Sequence, residues 1–120
     1  MNPSDRGRIY RDHECIVRKG EEGNTMFVIL RGQLEVIDER DGREVSLNVM
    51  QQGDVFGEMA LFQKEPRSVT VRALGEAQVM TIDKRALLKR IKEDPLVAMN
   101  LIETLCQRIR RLSAMVETRH

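Results

Sequence analysis

Glu58 and Arg67 stand nine residues apart in the stretch Phe56-Gly57-Glu58-Met59-Ala60-Leu61-Phe62-Gln63-Lys64-Glu65-Pro66-Arg67-Ser68-Val69-Thr70-Val71. An acid and a base at that spacing, around a glycine turn and a short apolar segment, suit a small ligand carrying both a phosphate and a ribose hydroxyl. A cyclic phosphodiester spreads one negative charge over two exocyclic oxygens, and a planar guanidinium meets both. Pro66 stiffens the approach to Arg67, and Ser68 adds a hydroxyl donor for the same phosphate. The Glu58 carboxylate is an acceptor for a ribose 2′-hydroxyl. Between them, Met59-Ala60-Leu61 is long enough for one helical turn whose free amides would point toward an anion, and Gly57 allows close approach of backbone. Each residue alone has an ordinary explanation: a surface ion pair of little worth, a turn glycine, a strand-edge serine. Their order and combination point to a site.

Such a site needs a scaffold, and residues 8 to 82 read as short strands separated by turn signals. Met26-Phe27-Val28-Ile29-Leu30 is a continuous apolar run between Gly23-Asn24 and Gly32, the pattern of a strand buried on both faces. Leu34 and Val36 alternate with Gln33 and Glu35, and Asp41-Gly42 then supplies a tight hairpin turn. Val45, Leu47 and Val49 alternate with Glu44, Ser46 and Asn48 in unbroken period two. Gly53-Asp54 marks another turn, and Val69-Val71-Ala73 and Val79 to Ile82 complete the series. The pattern predicts a mainly β fold, an antiparallel roll or barrel with C-terminal helices, not βαβ units.

After Asp83 the period changes. Asp83 is a good N-cap for a helix over about 84–92, with Leu87, Leu88 and Ile91 on one side. Asp94-Pro95 starts a second helix over about 95–117, with Pro at the first helical position. Along it Ala98, Ile102, Leu105, Ile109, Leu112 and Val116 form a heptad seam, the spacing of a helix packed along another helix. A homodimer through this helix is one expectation; a stripe covering the roll of its own chain is the other. Met99, Leu101 and Cys106 make the far side apolar as well.

Length and composition narrow the classes. At 120 residues the chain is one domain with one core. Aromatics make up 3%, which leaves the core to Val, Ile, Leu and Met. Twenty basic against nineteen acidic residues argue against a nucleic-acid arm or a polybasic membrane surface. No segment approaches a bilayer span and no signal peptide begins the chain. Cys15 and Cys106 are no disulfide framework and read as buried small hydrophobes in a reducing cytoplasm. An enzyme is not expected: His13 and His120 stand alone, so a cupin-like metal centre lacks its ligands, and neither cysteine has a histidine in a nucleophile motif. His13 beside Glu14 reads as a solvent-facing strand residue.

Phe56-Gly57-Glu58-Met59-Ala60-Leu61, followed by Pro66-Arg67-Ser68 and Thr70-Val71, resembles the phosphate-binding cassette of cyclic-nucleotide-binding domains. That family includes the catabolite activator protein, kinase regulatory subunits and cyclic-nucleotide-gated channels. Lys19-Gly20-Glu21 through Gly32 is similar to the family's early strands, and Gly53-Asp54 to its turn into the cassette. The likeness covers roughly residues 8 to 117. It implies a single domain over residues 1–120: a jelly-roll-like β-roll over about 8–82, a short cassette helix, and a long C-terminal helix that closes over the base and often dimerises. Carried over by position, Arg67 would bind the cyclic phosphate and Glu58 the ribose 2′-hydroxyl. Gly57 and Ala60 would give backbone groups, with Met59 between them, and Ser68 a hydroxyl to phosphate or base. Val36 and Leu47 would wall the purine, and Arg108, Arg111 and Leu112 face the capping region. No cofactor or metal is implied. The regulatory ligand would be cAMP or cGMP; in the family, Thr after the key Arg leans toward cGMP and Ala toward cAMP, and Ser68 is compatible with both.

Two departures stand out. Val69 occupies a position where the family usually has Ala, so it either narrows the pocket beside the phosphate or points into the core. Only seven residues precede Arg8, so the helical lead that often precedes the roll is nearly absent. The chain stops at His120 with no room for a helix-turn-helix, so direct DNA binding is not expected; Arg108, Arg110, Arg111 and Arg119 read as a solvated helix face. The alternatives to a cAMP sensor are a ligand-free dimerisation scaffold, or the excised sensor of a DNA-binding regulator or ion channel.

Overall fold

The computed structural model describes residues 7–62 and 65–117, with all their side chains except those of 62, 108 and 111–117. The chain divides after Lys84 into two compact units.

The first unit is an antiparallel sheet of six strands among the described residues: β1 (Arg8–Tyr10), β2 (Cys15–Val17), β3 (Thr25–Arg40), β4 (Arg43–Gln51), β5 (Val55–Phe56) and β6 (Thr70–Asp83). One four-residue helix, α1 (Met59–Phe62), lies between β5 and β6. β3 and β6 are the spine. Their pairing runs from Thr25↔Asp83 to Ile37↔Thr70, and β1 and β2 add to β6 while β4 and β5 add to β3.

The sequence pattern splits β3 and β6 into four strands at their glycines, and here the structure differs. Gly32 does not end β3. It sits in a register shift where Arg31 pairs Gln78 and Gln33 pairs Leu74, so β6 carries extra residues opposite it. A Cβ on Gly32 would lie 2.5 Å from the Glu76 carbonyl oxygen, so the two backbones meet where only glycine fits. The glycine bends a continuous strand. By contrast Asp41-Gly42 makes the expected two-residue hairpin between Arg40 and Arg43, both residues having positive φ.

β4 is also not the uninterrupted alternation its residues suggest. Ile37 pairs Ser46 and Val36 pairs Asn48, leaving Leu47 as an extra residue in a bulge. Val49 pairs Glu35 while Val45 pairs Asp38, three residues on, so Val45 and Val49 lie on opposite faces. All three apolar side chains are exposed, and in β4 only Met50 is buried.

The core draws on every strand: Tyr10, Val17, Phe27, Ile29, Leu34, Met50, Phe56, Val71, Ala73, Ala77 and Val79. The aliphatic residues expected there are present, but the few aromatics matter more than their number. Phe27 and Phe56 are a cross-strand pair stacked at 4.8 Å between centroids. Cys15 is half-buried and Cys106 exposed, so neither is the fully buried hydrophobe expected. His13 is exposed in the β1–β2 turn with φ +67°, not in a strand.

The second unit holds α2 (Lys84–Glu93), whose first residue is the last of the first unit, and α3 (Leu96–Glu117). The Asp94 carboxylate accepts from the Leu96 N–H at 3.1 Å, the expected cap with Pro95 beside it. Within α3, Ala98 and Leu105 are half-buried, whereas Ile102 and Ile109 are exposed.

Candidate functional site

The β5 strand delivers the chain to Gly57, where φ is +78° and the backbone turns into α1. Glu58 follows, 7% exposed, the one charged residue buried among the described residues. Ala60 and Leu61 are also buried, while Met59 is 61% exposed on the outer side of the turn. The Ala60 and Leu61 amides donate to the carbonyls of Gly57 and Glu58, both at 3.1 Å. Those two amides are therefore engaged within the turn, which corrects the expectation that they stand free for an anion.

Arg67 is brought to this turn by residues 20–22, which precede β3. The Gly20 N–H donates to the Arg67 carbonyl and the Arg67 N–H donates to the Glu21 carbonyl, both at 2.8 Å, and Glu22 forms an antiparallel bridge with Pro66. The main chain at 66–67 is thus zipped to residues 20–22. The side chain runs inward from there. Its Nη2 donates to the Thr25 carbonyl at 2.9 Å and lies 3.4 Å from the Thr25 hydroxyl; Nη1 makes a long contact of 3.5 Å to the Gly57 carbonyl. The guanidinium also lies 5.4 Å from the centroid of Phe27, the ring that stacks on Phe56. Burial lowers the Arg67 pKa and the Glu21 carboxylate opposes that shift, but an arginine so placed remains charged. Three contacts leave at least two of its five N–H groups without an acceptor among the described residues, and none of those residues forms an ion pair with it. A fixed, partly desolvated cation with donors to spare is an anion-binding arrangement.

The structure brings Gly57 and Arg67 together, with Glu58 beside them in sequence. Ser68 is exposed. Val69 packs against the core cluster, as does Val36, so the larger side chain at 69 is directed into the protein interior. Leu47 is the bulged residue of β4, 44% exposed. Arg108 and Arg111 belong to α3, and their side chains, with that of Leu112, lie outside the described residues. A cavity of 360 Å³ has Glu22, Gly23, Asn24 and Glu65 in its wall; its two carboxylates are the wrong sign for a phosphate, and none of the predicted binding residues appears among those lining residues. Among the described residues no cluster of three or more His, Cys, Asp or Glu could hold a metal, and no helix is long and apolar enough to cross a membrane.

The antiparallel roll, the one-turn helix after β5 and the arginine returning beside Gly57 define a class, and comparison with known proteins names it. Residues 8–94 match the model of the cyclic nucleotide-binding domain. The chain belongs to that family. It is 30% identical over 97 residues to a CRP-like cAMP-activated global transcriptional regulator of Mycobacterium tuberculosis, a match covering 80% of this chain and 43% of the relative. Among solved structures it resembles the Thermus thermophilus catabolite activator protein with a TM-score of 0.78 and 26% identity, over 92% of this chain and 53% of that one. It also resembles the EAL enzyme Bd1971 in a half-site-occupied form, with a TM-score of 0.70 and 29% identity over 89% of this chain and 96% of that one. That enzyme also matches in its cGMP-bound and cAMP-bound forms, at TM-scores of 0.64 and 0.65. The chain spans about half the length of the two regulators.

Proposed function

We propose that this chain is a single ligand-sensing domain that binds a cyclic purine mononucleotide, cAMP in the first place, and passes occupancy to its C-terminal helix. Arg67 takes the cyclic phosphate and Glu58 the ribose 2′-hydroxyl. Gly57, Met59 and Ala60 form the turn against the sugar-phosphate, and Ser68 adds a hydroxyl. Val36 and Leu47 lie on the purine side, and Arg108 and Arg111 are the candidates that the family resemblance offers for the base. Val69 acts through the core that backs Arg67. The carrying observation is the Arg67 guanidinium, held at the Gly57 carbonyl and Thr25 with no ion-pair partner among the described residues.

Ligand binding shifts the helix only as far as the ligand prefers one arrangement over the other. The name of the Mycobacterium relative favours cAMP, whereas Bd1971 matches in both cAMP- and cGMP-bound forms, and Ser68 suits either. The module works in the cytoplasm, as a homodimer through α3, within or beside a larger regulator. Titration calorimetry of the purified chain with cAMP and with cGMP tests the reading: micromolar or tighter binding of cAMP is expected, and absence of binding by both nucleotides overturns it.

A further inference from the structure

Seven of the eight glycines have φ between +75° and +90°, and Gly23 is the exception. Backbone conformation therefore gives no reason for glycine at 23. The reason is space. A Cβ on Gly23 would lie 2.4 Å from Nη2, 2.5 Å from Nε and 2.6 Å from Cζ of Arg67, so the guanidinium fills the volume a side chain would need. We propose that Gly23, outside the cassette, is a positioning residue for anion binding: its missing side chain is what lets the Arg67 head group reach Thr25 and Gly57. This rests on the reading of Arg67 as the phosphate ligand.

The consequence of filling that space follows from what can move. The Arg67 main chain is fixed by its bonds to Gly20 and Glu21, whereas the guanidinium is the free end of a long side chain. Alanine at 23 expels the head group from the Thr25 carbonyl and the Phe27 face while leaving the sheet intact. Gly57 is a poorer probe of the same idea. A Cβ there would fall 2.8 Å from Nη1, but its φ of +78° strains any other residue regardless of Arg67.

The test is a double-mutant cycle with cAMP as the probe, Gly23→Ala in the wild-type and Arg67→Ala backgrounds. In the wild-type background a loss of about tenfold or more in affinity is expected, with the ligand-free melting temperature held within about 2 °C. In the Arg67→Ala background the further change is expected below about twofold, because the group displaced is gone. The Nε–H resonance of Arg67 in the ligand-free protein should also move on Gly23→Ala. Equal affinity losses in both backgrounds, or an unmoved resonance, overturn the role of Gly23. Should Arg67→Ala itself leave the affinities for cAMP and cGMP at wild-type values, the phosphate assignment falls, and the resonance alone decides whether Gly23 seats the guanidinium.

Discussion

The guanidinium of Arg67 donates to the main-chain carbonyl of Thr25 at 2.9 Å, tying the residue after the cassette turn to the first residue of β3, forty-two positions earlier. This bond aims the cation, and a carbonyl does so without neutralising it. A carboxylate in the same place would compete with a phosphate; a carbonyl leaves net charge for the ligand. Arg67→Ala removes a charge-assisted contact worth about 1.5–3 kcal/mol, or roughly ten- to hundredfold in affinity. Calorimetry with cAMP checks it, and an unchanged dissociation constant would sink the phosphate assignment.

Glu58 is the buried acid of the site. Glu58→Gln keeps the shape and removes the charge, so binding of a 2′-hydroxyl weakens by an expected five- to tenfold, about 1–1.5 kcal/mol. The discriminating ligand is 2′-deoxy-cAMP, which should bind the wild type less well than cAMP and bind Glu58→Gln about equally. If the deoxy analogue matches cAMP on the wild type, Glu58 serves another purpose.

Much of this was legible in the residues. Alternation and turn chemistry announce an antiparallel β fold, and Asp41-Gly42 and Asp94-Pro95 do what their types require. What stayed hidden was long-range. Gly32 looks like a turn residue because the same conformation serves a turn and a bend within a strand; the approach of Glu76 decides between them, and that is tertiary. The bulge at Leu47 is silent because period-two spacing carries no record of how the partner strand is registered. The segment Gly20–Thr25 resembles only the lead into the family's early strands, and its part in aiming Arg67 appears only once the chain has folded back.

Gly32 is a point of predicted fragility. A Cβ there meets the Glu76 carbonyl at 2.5 Å and the Ala77 Cα at 2.9 Å, both backbone atoms of β6 and not the movable end of a side chain, and φ is +89°. Gly32→Ala should cost about 2 kcal/mol or more, lowering the melting temperature by roughly 10 °C. A thermal melt within 2–3 °C of wild type, roughly the effect of a neutral surface change, would show that the bend tolerates a side chain.

Acid sensitivity is predicted at Asp38. Its carboxylate accepts from Lys19 Nζ at 2.7 Å and from Arg40 Nε at 3.0 Å. The Lys19 bond first, then Arg40, holds its pKa below the ordinary 3.8. A depressed folded-state value means the stabilisation is present above the unfolded pKa and is lost as pH falls through the folded one. The wild type therefore loses stability below about pH 4, and Asp38→Asn loses less over the same window. Asp12, lowered by the Gly75 N–H and then by His13, titrates in the same direction and remains in both proteins. Parallel melting-temperature curves for the two from pH 5 to about pH 2 would exclude Asp38 as a contributor.

The dimer reading turns on Leu105. Ala98, Ile102, Leu105 and Ile109 recur at four- and three-residue steps along α3, and Ile102 and Ile109 are 53% and 62% exposed in the single chain. Two exposed isoleucines at that spacing are poor solvent-facing choices and good knobs for a parallel partner helix. Leu105 lies between them in the repeat, so Leu105→Glu puts a charge in the middle of the seam on both protomers, with desolvation and like-charge repulsion acting together. The expected outcome by light scattering is a shift from twice the chain mass to once, with the helical circular dichroism signal reduced and not abolished. A mass unaltered by Leu105→Glu, whether monomeric or dimeric before the change, removes the seam from the mechanism and leaves any signal from the roll to travel within one chain.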